Sequence, residues 1–360
     1  MAGRFAPRRE TRTLVRGAHG PAPATRSVGA GSTAGPDRAA VPSPTRGTSR
    51  APGGARCDAP RERCWTPPWP LDLHLVLGTL RRGAGDPTFR ALRDGSVWRA
   101  TRTPEGPGTL RVVPDGGAVR ATAWGPGAAW LLDRLPELLG ARDDPSAFVP
   151  RHRVVARTWR RTPGLRLTRT GLVLESLIPS ILEQKVTTAE AYRAWRLLVR
   201  RYGEPAPGPV PDRLCVMPAP RAWALIPSWE WHRAGVDQKR SSTVLRAVRV
   251  ARRLEEAAAL PPAAARARLE LVPGIGPWTS AETVQRTHGA PDEVTVGDLH
   301  LPRIVGFALT GERDADDARM LSLLEPYAGQ RHRAARLILL SGLSPPRRAP
   351  RMPRVDIGRL

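Results

Sequence analysis

Between Leu269 and Arg303 the chain reads LELVPGIGPWTSAETVQRTHGAPDEVTVGDLHLPR, and the residue types and spacing of this stretch could do chemistry. Its first half is an anion site in outline. Leu269 and Leu271 close a short helix that Pro273 stops, and Gly274, Ile275 and Gly276 are spaced for a tight turn whose torsions disfavour residues with a Cβ. Pro277 suits the first position of a second helix, and Thr279 and Ser280 place hydroxyls in its first turn. Free backbone amides and the positive end of a helix dipole at such a turn are what a phosphate needs. The second half offers a carboxylate, Asp298. A carboxylate beside a phosphate binder weakens affinity, so chemistry explains it better, although Asp298 could also cap a helix beginning at Leu299. Asp292 and Glu293 lie six and five residues earlier and are expected to solvate the loop.

The bulk composition agrees with a polyanionic partner. The 360 residues carry a formal net charge of +24, nearly all from arginine, since Lys185 and Lys239 are the only lysines. Such a balance favours nucleic acid over an acidic membrane surface. A GC-rich genome would explain arginine in place of lysine, but not the excess of bases over acids. Cys57, Cys64 and Cys215 are too few and too scattered for a disulfide framework or a four-cysteine metal site. A reducing, cytoplasmic setting fits. No apolar run approaches the roughly 18 residues of a membrane span, and no signal peptide is visible.

The elements that must position the stretch fall into four segments. Residues 1–64 hold 8 Pro and 9 Gly, with 12 Arg against 4 acidic residues, and are expected to be a disordered basic extension. An arginine-rich, acid-poor start also resembles an organellar transit peptide. Residues 65–144 read as a small β domain. The alternation of Leu71, Leu73, Leu75 and Leu77 predicts a strand, and Ser96–Thr103, Thr109–Val113 and Ala118–Trp124 predict three more, separated by glycine-bearing turns. A helix follows over Ala128–Leu139, and Trp98 and Trp124 are expected in the core. From 145 to 344 strand signals vanish. Amphipathic helices are predicted at Ala147–Arg157, Leu172–Gln184, Thr188–Tyr202, Pro220–Ala224, Gln238–Ala258, Pro261–Leu271, Trp278–His288, Leu299–Leu309, Asp314–Glu325 and Arg331–Ser341. Residues 345–360 form a basic tail. The fold class is therefore α+β: a small antiparallel β domain with a helix, then an all-α region.

LVPGIGPWTSAE followed by GDLHLPR, together with LIPSILEQKVTTAEAYRAWRLLVRRYG at Leu177–Gly203, resembles the helix-hairpin-helix DNA glycosylase superfamily, in its 3-methyladenine DNA glycosylase II branch. The resemblance runs from about Trp65 to Leu343. It implies flipping of damaged, mainly alkylated, purines out of double-stranded DNA and cleavage of the N-glycosidic bond, with no membrane role and with the protein acting as a monomer. Asp298 then faces the sugar and stabilises the positive charge that builds as the base leaves. Lyase-type members carry a lysine where this chain has Trp278, so the resemblance implies hydrolysis without strand cleavage. Trp278 would wall the base pocket and hold an electron-poor base by cation–π attraction.

The resemblance also assigns the loop at Gln184-Lys185 to the gap left by the flipped base. Lys185 stands where an apolar wedge is usual and could reach a phosphate instead. Trp229 and Trp231, flanking Glu230, would sit at the pocket mouth or pack between helices. His300 and Arg303, close after Asp298, would support the carboxylate or contact phosphate. Lys239, in Asp237-Gln238-Lys239-Arg240, reads as a surface or DNA-backbone contact. No metal ligand set is evident. The only cofactor implied is a monovalent cation on the hairpin carbonyls.

Overall fold

The computed structural model of the chain describes residues 59–346. The basic extension up to residue 58, including Cys57, and the tail from residue 347 lie outside the described residues.

A five-stranded antiparallel sheet comes first: β1 (Arg61–Trp65), β2 (Phe89–Ala91), β3 (Val97–Thr103), β4 (Gly106–Asp115) and β5 (Ala118–Trp124), in the order β1-β5-β4-β3-β2. Helices α1 (Leu73–Leu77), α2 (Ala128–Asp133) and α3 (Leu135–Leu138) accompany it. Its core joins Leu110, Val112, Ala121 and Ala123 of the strands to Leu131 and Leu135 of the helices. Trp98 and Trp124 stack with ring centroids 5.4 Å apart, as expected of core residues.

Four local expectations are corrected here. Residues 61–64, assigned to the extension, begin the edge strand β1, paired along its length with β5. The leucines of 71–77 alternate, yet the segment is a helix from Leu73, because Asp72 caps it by accepting from the His74 and Leu75 amides. Its buried residues Leu73, Val76 and Leu77 follow the helical spacing. The segment Gly106-Pro107-Gly108 is not a turn but the start of β4, and the reversal falls at Pro104-Glu105. The helix expected over 128–139 breaks at Arg134, just ahead of Pro136.

The rest of the chain is helical: α4 (Arg153–Arg161), α5 (Val173–Leu182), α6 (Thr188–Tyr202), then α7 (Pro220–Ala224), α8 (Ser228–Arg233), α9 (Gln238–Arg249), α10 (Ala251–Glu255), α11 (Pro262–Glu270), α12 (Pro277–Thr287), α13 (Leu301–Thr310), α14 (Asp317–Leu324) and α15 (Arg331–Leu340). Helices α6 and α7 match the periodicity residue for residue. The long helix expected from Gln238 divides at Val250, and α8 was not anticipated. The chain is also not free of strand after residue 144, since Glu204–Pro205 pairs with Cys215–Val216. Two cores divide the helices. One centres on α5, whose residues between Val173 and Leu182 are buried except Glu175, with Trp195, Trp223 and Trp231 packed near it. The other joins Phe148, Val155, Val305, Met320, Tyr327 and Leu337. Asp143, at the expected domain border, forms a buried ion pair with Arg333 of α15 and accepts the Leu167 amide.

Candidate functional site

The hairpin is built from below. Thr243 of α9 bonds back to the Lys239 carbonyl and lies directly under Gly274. Gly274 has φ +99°, and a Cβ there would lie 2.2 Å from the Thr243 hydroxyl, so no other residue fits this position without displacement. Gly276 differs from expectation: its φ of −111° and ψ of −176° are ordinary extended backbone, and a Cβ would meet only open space. The open side faces outward from the turn, where a ligand would approach. Arg246 donates to the Pro273 carbonyl, and Ser280 Oγ donates to Glu270 at 2.6 Å, which ties α12 to α11.

Several side chains singled out as DNA contacts instead hold this turn together. The Ile275 amide donates to the Val272 carbonyl and its side chain is buried. Thr279 and Ser280 are buried too, with Gln184 Nε2 donating both to Thr279 Oγ1 at 2.8 Å and to the Gly274 carbonyl at 3.0 Å. Gln184 thus clips the α5–α6 loop onto the hairpin. What the turn can offer an anion is backbone. The helical ladder starts with Ser280 N–H to Gly276 O, so the amides of Gly276, Trp278 and Thr279 precede it and remain free of it. The carbonyls of Val272, Pro273 and Gly274 each already accept a hydrogen bond, one from a guanidinium, which fits poorly with a cation bound there.

Lys185 follows Gln184 at the apex of the loop, exposed and in the left-handed region at φ +54°. Behind it, the buried Arg240 donates to the Leu182 and Gly235 carbonyls and pairs with Asp237, fixing the end of α5. Asp237 caps α9, leaving Lys239 exposed on its first turn.

Asp298 is half-buried, and each of its oxygens has a separate task. Oδ1 accepts from the His300 and Leu301 amides, both at 2.8 Å, so the carboxylate caps the helix that begins at Leu301, two residues later than expected. Oδ2 accepts from the indole Nε1 of Trp278 at 3.1 Å. Trp278 is therefore not merely a pocket wall: it orients the carboxylate, joining the two halves of the stretch through one hydrogen bond. The His300 and Arg303 side chains are exposed beside it. Asp292 accepts from the Arg331 amide and pairs with its side chain, a structural use that removes it as an alternative carboxylate.

Trp231 contradicts its assignment to a base pocket. It is 3% exposed and stacks on Trp223 within the core around α5, at a centroid distance of 5.8 Å. Trp229 is its opposite, 66% exposed on α8. The pair fits the packing reading for one member and open surface for the other.

The cavity next to this site had no signal in the sequence. It has a volume of about 120 Å³ and is lined by Glu282 and Arg286 of α12, Thr295, Leu301, and His332 and Arg336 of α15, among others. Glu282 lies one helical turn beyond Trp278, and Leu301 is the residue whose amide holds Asp298. Burial raises the Glu282 carboxyl, but Arg286 and the Thr295 hydroxyl outweigh this and hold it below the usual carboxylate range. Burial, aided by Arg336, drops His332 to about 3, so its imidazole is neutral. Only the spacing of Trp278 to Glu282 was visible beforehand; α15 enters from more than 40 residues away.

With this geometry in place, relatives can be weighed. No family model matches the chain. Two Mycobacterium tuberculosis proteins, from strains CDC 1551 and H37Rv, each described as a probable bifunctional transcriptional activator/DNA repair enzyme AlkA, are 30% identical over 245 residues, covering 64% of this chain and 48% of theirs. The chain thus spans about half the length of the curated relatives it matches. Among solved structures, the 3-methyladenine DNA-glycosylase of Archaeoglobus fulgidus superposes with a TM-score of 0.62 at 16% identity, covering 78% of this chain and 98% of that one. The Clostridium acetobutylicum 8-oxoguanine glycosylase/lyase, in complex with double-stranded DNA, gives 0.60 at 11% identity over 79% and 97%. A sheet followed by helices, with a glycine hairpin and an aspartate joined through one helix, is the fold these structures share. The chain belongs to the helix-hairpin-helix DNA glycosylase superfamily.

Proposed function

We propose that the protein is a monofunctional DNA glycosylase that extrudes damaged purines, alkylated ones foremost, from double-stranded DNA and hydrolyses the bond between base and deoxyribose. The observation that carries this reading is the hydrogen bond from Trp278 Nε1 to Asp298 Oδ2, in a carboxylate whose other oxygen is held by two backbone amides. Held by three N–H groups, the carboxylate has its direction set before substrate arrives. The free amides at Gly276, Trp278 and Thr279 grip a phosphate of the flipped nucleotide's strand, with Arg303 and Lys185 as further phosphate contacts. As the C1′–N bond lengthens, positive charge grows on the sugar opposite Asp298, and the departing electron pair goes to the base. Water then adds at C1′, its proton is lost towards the carboxylate, and an abasic site remains.

The indole in place of an amine supports hydrolysis without strand cleavage, because Trp278 cannot form an imine with the sugar. Support for damaged bases comes from the names of the relatives, a DNA repair enzyme and a 3-methyladenine DNA-glycosylase. The test is base release from duplexes carrying 3-methyladenine, 7-methylguanine, hypoxanthine, uracil or 8-oxoguanine, with products run before and after alkali. Release of damaged purine with strands intact until alkali is expected. Nicking without alkali would overturn the monofunctional reading, and release of none of the five would overturn the glycosylase itself.

A further inference from the structure

The cavity beside Asp298 has a definite chemical character, and it is not the aromatic sandwich expected from tryptophans. It adjoins the carboxylate through Leu301 and begins one turn along α12 from Trp278. A cavity of about 150 Å³ holds benzene, so about 120 Å³ takes the six-membered ring of a purine with little adjustment, leaving its five-membered ring and sugar towards Asp298.

Two of the four titratable groups already satisfy each other. Glu282 Oε2 accepts from Arg286 Nη1 at 2.6 Å and Oε1 from Thr295 Oγ1 at 2.8 Å, while Arg286 Nε donates to the Thr79 carbonyl. The other two are unspent. Arg336 makes one long contact, Nη2 to the Leu75 carbonyl at 3.3 Å, and its buried Nε has no partner. His332 lines the same space with no hydrogen-bond partner for its ring among the described residues. A buried guanidinium donor without an acceptor costs stability, so it points to a ligand that supplies one.

We infer that this cavity seats the extruded base, and that Arg336 and His332 select purines with a carbonyl at C6 over purines with an amino group there. Arginine donates only, so it matches the O6 acceptor of guanine-type and hypoxanthine-type bases, as it does in groove readout. A neutral imidazole accepts from N1–H of the same edge. A 6-aminopurine reverses both partners, setting an N–H₂ donor against the guanidinium. Arg336 also adds positive charge, which opposes a cationic base. This inference rests on the glycosylase reading and narrows its substrate class.

Three lesions separate the two effects. Hypoxanthine is neutral with a 6-carbonyl, 7-methylguanine is cationic with one, and 3-methyladenine is cationic with a 6-amino group. Single-turnover release by the full chain is expected to follow that order relative to each base's spontaneous loss, with hypoxanthine favoured over 3-methyladenine by on the order of tenfold or more. Arg336→Gln and His332→Ala are each expected to collapse that ratio while release of 3-methyladenine falls less. Free hypoxanthine and free adenine, as inhibitors of wild-type release and as ligands in a thermal-shift titration, give a readout that does not depend on the variants folding: hypoxanthine is expected to bind and adenine not. Release of 3-methyladenine in preference to both 6-oxopurines, or equal binding of the two free bases, would overturn the inference and leave the glycosylase reading standing. Absence of release from every lesion would overturn the glycosylase reading, while the thermal-shift titration would still decide the cavity's preference.

Discussion

Replacing Asp298 by asparagine tests the central geometry more sharply than a deletion would, because the two oxygens have different partners. The amide oxygen of the introduced asparagine can remain on the His300 and Leu301 amides and keep the cap. Its NH₂ group then lies where Oδ2 was, against the Trp278 N–H, so two donors face each other at about the 3.1 Å of the native bond. Trp278 must turn away or leave its donor unsatisfied, at a cost of about 1–3 kcal/mol. The larger effect is on catalysis. A unit negative charge about 4 Å from a developing cation contributes about 4 kcal/mol at an effective dielectric constant of 20, and its loss slows base release on the order of 10³-fold. DNA affinity should hold or rise, since a carboxylate near phosphate is removed. The assay is single-turnover release of 7-methylguanine and hypoxanthine, paired with anisotropy on an abasic-analogue duplex and thermal unfolding. Release at the wild-type rate, with the cap intact, would refute the assignment of Asp298 to the sugar. Trp278→Phe separates orientation from charge: it keeps the ring but loses a hydrogen bond to a charged group, so a fall of about ten- to a hundredfold in release is expected, with binding of the abasic duplex unchanged.

The two hairpin glycines should separate in behaviour. Gly274→Ala forces a Cβ onto Thr243 at a positive φ, so a loss of melting temperature is expected; Gly276→Val should fold normally yet weaken binding of every duplex alike, and a sequence-dependent loss would contradict a phosphate role. Asp143→Ala leaves the Arg333 guanidinium buried without its ion pair, and chemical denaturation should register a loss of about 3–5 kcal/mol. His332 gives a pH signature. Its folded value is depressed to about 3 against an ordinary 6.5, so on acidification the unfolded chain takes up a proton first. Stability contributed by the neutral ring is therefore full above about 6.5 and is lost as pH falls towards 3, by up to about 1.4 kcal/mol per pH unit. His332→Gln should flatten that part of the acid limb in urea titrations at stepped pH, and parallel limbs for the two proteins would contradict a buried neutral imidazole.

Much of the fold was legible because its signals are local. Thr187 and Glu190 form a capping box that starts α6, and the 3.6-residue period carries it to Tyr202. The alternation at Leu71–Leu77 misled because it is compatible with both periods over so short a run, and the deciding residue was Asp72, whose side chain closes the first turn. Distance in sequence hid the rest. Nothing near Ile275 shows that its amide turns inward, nothing in Pro-Ser-Trp-Glu-Trp-His says which indole goes into the core, and the cavity depends on α15 returning to α12. The torsion assigned to Gly276 failed for a related reason. Glycine marks either a positive φ or a place that something else must approach, and only the structure tells these apart.

That distinction bears on how one short segment does two jobs. Gly274 is required by the protein itself, since Thr243 fills the space a Cβ would need; Gly276 meets nothing in the protein, so its bareness is useful only to a ligand. The same division runs through Asp298, where Oδ1 builds α13 and Oδ2 is steered by Trp278. The capping role and the chemical role are therefore not competing explanations of one carboxylate. The cap supplies the rigidity that aims it: a side chain with Oδ1 fixed by two amides cannot swing towards the arginines whose charge dominates this protein, and the remaining lone pairs of Oδ2 stay available to the sugar.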